Sequence, residues 1–87
     1  MMTKNKILEK IQNCYDREDW FLLCFNNELP EDIIREYKNF VNWNVISSFY
    51  HLSDDFILEF SNYLYLDSLL NNNNISEETK ICLREFL

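Results

Sequence analysis

Three nine-residue phrases stand 23 residues apart in this 87-residue chain: "LPEDIIREY" from Leu29, "LSDDFILEF" from Leu52 and "ISEETKICL" from Ile75. A unit that short cannot bury an apolar face by itself. Neighbouring copies must stack and share a core, which restricts the chain to repeat-built architectures. After the first phrase the apolar positions are Ile33, Ile34, Tyr37, Phe40 and Val41. After the second they are Phe56, Ile57, Phe60, Tyr63 and Leu64. Both sets share one spacing, which is a single face of an α-helix and not the alternation of a strand. Ile7, Leu8, Ile11, Cys14 and Tyr15 write the same stripe near the N-terminus. The last copy keeps Leu83, Phe86 and Leu87 but opens with Thr79 and Lys80.

The starts carry the chemistry of helix initiation. Ser53 and Ser76 are natural N-caps, each followed by two acids, Asp54-Asp55 and Glu77-Glu78, which favour the positive end of the helix dipole. Pro30 before Glu31-Asp32 suits the first turn, where a missing N–H does no harm. Leu29 with Ile34, and Leu52 with Ile57, have the spacing of a hydrophobic staple. Shorter apolar clusters lie between the phrases, with Trp20 and Leu23, Trp43 and Ile46, and Leu66 and Leu69 at matching places. Each reads as a second, shorter helix, with Asp16 and Asn42 placed to cap the first two. Trp20 and Trp43 are expected in the core. The run "NNNN" at 71–74 reads as a connector, since Asn tolerates turn geometries.

Glycine is absent and proline occurs once. Tight β-turns call on residues with positive φ, so a sheet protein without glycine is disfavoured even with twelve asparagines to substitute. The expected fold is all-α: a small bundle or solenoid-like stack of about seven short helices built from a 23-residue helix pair. The helices are expected near 4–15, 17–26, 30–41, 43–50, 53–65, 66–71 and 76–86. One domain over 1–87 is expected, with repeat units near 4–28, 29–51, 52–74 and 75–87.

The pattern of an "LS" followed by two acids, an apolar-aromatic stripe and then "W..IS" resembles short tandem helical repeats of large-DNA-virus and phage proteins. It is carried here by Leu29, Glu31, Asp32, Ile34, Tyr37, Phe40, Trp43, Ile46 and Ser47. The next copy carries it in Leu52, Ser53, Asp54, Asp55, Phe56, Ile57, Phe60, Tyr63, Leu66 and Leu69. The resemblance spans about residues 17–87, and its motifs are structural: they imply a fold and no shared activity. "LPEDIIREY" also resembles the opening of an F-box, but the residues after it follow the internal repeat instead.

Nothing in the sequence marks a reaction centre. His51 is the single histidine and sits at a helix junction. Cys14, Cys24 and Cys82 lack zinc-ligand spacing and read as small apolar residues. Without glycine there is no phosphate-binding loop. A non-enzyme with no cofactor and no metal is therefore expected. The opening "MMTKNKILEKIQN" lacks the apolar run of a secretion signal, and no stretch is long enough to span a bilayer, so a reducing cytoplasm is expected and no membrane.

The formal charge is −7. Direct binding to nucleic acid is disfavoured, because phosphate neutralisation needs clustered Lys and Arg. From Asn39 to Thr79 there is no lysine or arginine, while Asp54, Asp55, Glu59, Asp67, Glu77 and Glu78 all fall in that span. Stacked copies would align Glu31/Asp32, Asp54/Asp55 and Glu77/Glu78 as an acidic ridge. These eight acids are the expected contact residues for a protein partner with a basic surface. The functional expectation is a small acidic binding protein, a virus- or phage-encoded inhibitor of a host nucleic-acid-binding defence protein, with anti-CRISPR proteins as the example class. It would act in the host cytoplasm as a nucleic-acid mimic. The alternative is a helical-repeat scaffold or homodimer joined through surplus aromatics such as Phe21, Phe25, Phe49, Tyr50 and Tyr65.

Overall fold

The computed structural model describes residues 3–86, the side chain of Phe86 excepted, and all regular structure among them is helical. Seven helices follow in order: α1 (Lys4–Ile11), α2 (Arg17–Asn26), α3 (Glu31–Glu36), α4 (Trp43–Phe49), α5 (Asp54–Glu59), α6 (Leu66–Leu70) and α7 (Glu77–Phe86). Helices α3, α5 and α7 begin at Glu31, Asp54 and Glu77, so the 23-residue period of the sequence is kept to the residue. The chain divides into two compact units, Met1–Asn42 and Trp43–Leu87.

The helix starts follow from their caps. Ser53 Oγ accepts the Phe56 N–H (3.1 Å), and Ser76 Oγ accepts the Thr79 N–H (3.2 Å). Asp16 accepts the Asp19 N–H at 2.9 Å, and Asp19 in turn accepts the Tyr15 N–H at 2.9 Å, a reciprocal clasp at the start of α2. Thr3 caps α1 through the Lys6 N–H (3.3 Å). Pro30 occupies the N-cap position of α3 and makes no side-chain cap bond.

The ends of α1, α3 and α5 differ from the sequence expectation, while the other four fall within a residue of it. Residues 30–41 and 53–65 do not form single long helices: α3 and α5 span six residues each. Both stop at an aromatic residue with nearly the same backbone, Tyr37 (φ −109°, ψ 29°) and Phe60 (φ −109°, ψ 25°). One further turn follows in each, with the Phe40 N–H on the Tyr37 carbonyl (2.9 Å) and the Tyr63 N–H on the Phe60 carbonyl (2.9 Å). The sequences here, "YKNFVN" and "FSNYLY", are rich in weak helix formers. Helix α1 also ends early, at Ile11. Asn13 and Cys14 bond back three residues in tight turns, and the Asp19 clasp draws Tyr15 into the next cap. Tyr15, expected in the stripe, is 85% exposed as a result.

Each tryptophan is gripped from two positions, one at the end of α3 or α5 and one in the turn that follows. In the N-terminal unit Trp20 lies 5.8 Å from Tyr37 and 5.9 Å from Phe40, ring centre to ring centre. In the C-terminal unit Trp43 lies 5.3 Å from Phe60 and 5.1 Å from Tyr63. These pairs occupy equivalent places in the repeat, so the same aromatic clamp is built twice. Such pairs add about 0.5–1.5 kcal/mol each beyond their buried area. Phe40, expected in the core, is 61% exposed and contributes one face of its ring to the stack. Around each clamp lie buried aliphatic residues: Ile7, Ile11, Leu23, Ile33 and Ile34 in the first unit, and Val45, Ile46, Ile57, Leu69 and Leu83 in the second.

Polar residues hold the C-terminal unit together from inside. Asn72, in the middle of the asparagine run, is fully buried. Its amide donates to the carbonyls of Ser47 (3.0 Å) and Tyr50 (2.9 Å), and its oxygen accepts the Asn74 N–H (2.8 Å). Asn74 donates to the Phe49 carbonyl at 2.7 Å. The run is thus a clasp on the C-terminal end of α4, whose last carbonyls have no partner within the helix. Ser47, also buried, donates to the Trp43 carbonyl (2.7 Å) and accepts the Tyr65 N–H (3.0 Å), tying α4 to the start of α6. Tyr50, expected on the surface, is buried here. Lys80 fills the register of Ile34 and Ile57; it is 6% exposed, with its ammonium 3.8 Å from Glu77.

Replacing Asn72 with alanine removes two donors from buried carbonyls. The expected loss is about 2–3 kcal/mol in urea unfolding, against less than about 0.5 kcal/mol for the exposed neighbour Asn73→Ala. Lys80→Ile restores the apolar residue of the other copies and is expected to raise stability by about 1 kcal/mol, measured as an upward shift in Tm.

Candidate functional site

The eight acids expected at a contact surface fall into distinct settings. Glu31 and Asp32 open α3 in the N-terminal unit. Asp32 bonds the Lys4 ammonium at 2.6 Å, with both side chains about half exposed. That hydrogen bond holds the Asp32 carboxyl below its ordinary value and the Lys4 ammonium above its own. The stabilisation it gives is present above the ordinary carboxylate range and is lost as pH falls through the lowered value. An exposed pair of this kind contributes little. Its larger effect is to neutralise one of the acids.

The remaining six acids belong to the C-terminal unit, and all six are exposed. Asp54 accepts the Thr79 hydroxyl at 2.7 Å, and the Thr79 hydroxyl lies 2.9 Å from that of Ser76. With Thr79 donating to Asp54, Ser76 donates to Thr79. This chain of hydroxyls brings the first turns of α5 and α7 side by side, so Asp54-Asp55 and Glu77-Glu78 are neighbours as the stacked repeat requires. Glu59 ends α5. Asp67 lies apart from them, beside Ser48, Phe49, Ser68 and Asn71 in a shallow hollow of about 330 Å³ between α4 and α6.

The charge of this unit is lopsided. From Trp43 onward the sequence has seven acids and two bases, a net −5 of the total −7. One of those bases, Lys80, is turned into the core, which leaves Arg84 as the exposed basic side chain among the described residues of this unit. The N-terminal unit carries eight acids against six bases.

Beside the joined first turns, α5 and α7 enclose a groove of about 550 Å³. Ile57, Leu58, Cys82 and Leu83 give it an apolar floor, and Asp54 and Glu78 stand at its rim. The sequence reading by stripe and cap missed this groove. The signal was present in the repeat register: Arg35 of α3 corresponds to Leu58 of α5 and Ile81 of α7, so a polar outward position becomes apolar in the C-terminal copies. Leu58 is 59% exposed in consequence.

The cysteines separate by environment. Cys24 is core, as expected, while Cys14 is half-buried and Cys82 is exposed, so the expectation that each packs as an apolar residue holds for one of three. Partial burial raises the Cys14 thiol above its ordinary value, helped by Asp19 and Asp16 nearby. No group of three or more His, Cys, Asp or Glu side chains among the described residues is arranged to hold a metal ion. No helix among them is long and apolar enough to cross a membrane. Comparison with protein-family models, with curated proteins and with solved structures finds no match to this chain.

Thiol labelling tests this assignment of environments. With a maleimide at neutral pH, mass spectrometry is expected to find Cys82 modified first, Cys14 later and Cys24 only on unfolding. Early modification of Cys24 would contradict the core described above.

Proposed function

We propose that this chain is a non-enzymatic binding protein whose acidic C-terminal unit docks on the basic surface of a protein partner. The observation that carries the reading is the imbalance of that unit: seven acids, with Lys80 turned inward and Arg84 the exposed base. A field of one sign speeds encounter with an oppositely charged partner and disfavours wrong ones. The same field repels nucleic acid, so a partner whose own ligand is DNA or RNA is the natural match. An inhibitor of a host nucleic-acid-binding defence protein, made by a virus or phage, is the narrower form of this reading. That form rests on the resemblance of the repeat to viral and phage repeats and not on the fold.

A second reading has its own observation. Helix α2 is apolar on more than one face: Trp20, Leu23 and Cys24 are buried, while Phe21, Leu22 and Phe25 are exposed, with the Phe21 and Phe25 rings stacked at 5.6 Å. Phe49 and Tyr65 are exposed as well. An exposed apolar helix face is a contact surface for a scaffold or a homodimer. Light scattering tests the second reading, because a strict monomer at high concentration weakens it and removes its homodimer form.

The first reading is tested by capture from a host extract. Basic proteins are expected to be retained at about 50 mM salt and released near 300 mM, where screening is stronger. Joint replacement of Asp54 and Asp55 by Asn, and of Glu77 and Glu78 by Gln, is expected to weaken that capture about tenfold or more. These amides keep hydrogen-bonding capacity at the helix starts, and circular dichroism checks that the variant is folded. Capture that is unchanged in the amide variant and indifferent to salt overturns the reading.

A further inference from the structure

We infer that the groove between α5 and α7 is the docking site for a short amphipathic helix of a protein partner, apolar on one face and basic on its flanks. The inference rests on the acidic-surface reading and gives that surface a specific place of contact. Two independent features meet at the groove. Its floor is apolar, with Ile57 and Leu83 buried at its base and Leu58 and Cys82 exposed, at register positions that the preceding copies fill with Arg35 and with Glu36 and Glu59. Its rim is acidic, with Asp54 and Glu78 on it and Asp55 and Glu77 beside them.

Each feature excludes a class of occupant. The carboxylates disfavour an acidic or purely apolar ligand, because they would be desolvated without a counter-charge. The apolar floor gives nothing to a flexible, purely cationic chain, which the outlying acids would hold equally well. A helix with leucine-like residues at i, i+3, i+4 and i+7 satisfies both, setting its apolar stripe on the floor and its lysines or arginines against the rim. The volume of about 550 Å³ suits a few such side chains and not a second folded domain. Asp54 is held toward the rim by the Thr79 hydroxyl, so the carboxylate is positioned before any partner arrives.

Cys82, exposed on the floor, reports occupancy directly. The rate of its maleimide labelling is measured with a synthetic peptide of about 18 residues, leucine on one helical face and lysine elsewhere. Two control peptides carry glutamate in place of lysine, or lysine without leucine. The leucine–lysine peptide alone is expected to slow labelling about tenfold at saturation, with Cys14 labelling unchanged. Leu58→Gln is expected to weaken that protection about tenfold. Leu58→Arg, which copies the residue of the preceding repeat and so keeps the fold, is expected to abolish it.

Protection by neither leucine peptide overturns the inference, and so does equal protection by the leucine–glutamate or the leucine-free peptide. Protection that grows with the concentration of the protein alone assigns the groove to a second copy of the chain and also overturns it. The parent reading is scored separately. Basic-protein capture lost in the amide variant but unchanged in both Leu58 variants defeats the groove and leaves the acidic surface standing. Absence of any salt-sensitive capture defeats the surface.

Discussion

Helices of five to ten residues do not persist in water, because the cost of nucleating a helix is not recovered over so few hydrogen bonds. Every element of this chain lies in that range. The fold therefore depends on what each helix touches, and the recurring contact is a tryptophan held between two aromatic rings of the following helix and turn. Trp20 with Tyr37 and Phe40, and Trp43 with Phe60 and Tyr63, are the same clamp at the same repeat positions. The clamp sits where α3 and α5 stop after six residues. At Tyr37 and Phe60 φ leaves the helical region, and one further turn carries the second ring of each clamp. The 23-residue period is thus the distance over which a helix start, a break and a clamp can be completed.

The turns are built without left-handed backbone. No described residue has positive φ, which accounts for a chain that contains no glycine. The asparagines could have served as glycine substitutes in left-handed turns, and they do not. Asn72 and Asn74 work through their side-chain amides, which reach the last carbonyls of α4. Burying an amide is costly unless it is bonded, and Asn72 is bonded through both its nitrogen and its oxygen. Ser47 has the same logic with a hydroxyl, serving one carbonyl and one N–H at once. Short helices leave a large share of their backbone groups without partners, so a fold made of them needs such side chains in the core.

How much of this was legible depended on whether the signal was local. Helix starts were readable, because capping acts over three residues: Ser53, Ser76 and Asp16 perform as their sequence predicts. The number of helices and the all-α fold followed from periodicity. The ends of α2, α4, α6 and α7 fall within a residue of the expected ones, whereas those of α1, α3 and α5 do not. The stripe continues past Tyr37 and Phe60 with unbroken spacing, which masks the weak helix formers there, and the ring contacts at these positions are with a tryptophan 17 positions earlier. The "NNNN" run was opaque for a related reason, since four identical residues conceal that one is buried and its neighbour exposed. Within the candidate site, the acids were found by type and spacing. The groove was not, because it is a property of two helices together and of a single outward position that changes from Arg35 to Leu58.

The acids that begin these helices serve two demands that pull apart. A carboxylate that closes a helix start or clasps a neighbour is fixed by that bond, while one that meets a partner must also keep its charge and exposure. Asp32 and Asp54 illustrate the first demand, the one bonded to Lys4 and the other to Thr79. Their partners differ in consequence. Lysine cancels the charge of Asp32, whereas the threonine hydroxyl fixes Asp54 without neutralising it. The same contrast recurs at Lys80, whose inward turn removes a positive charge from the surface that Asp54 and Glu78 dominate. In the C-terminal unit the internal contacts are thus made largely by neutral donors, namely Thr79, Ser76 and the amide of Asn72. Asp54 keeps its charge while held in place, whereas the charge of Glu77 is partly offset by the Lys80 ammonium at 3.8 Å.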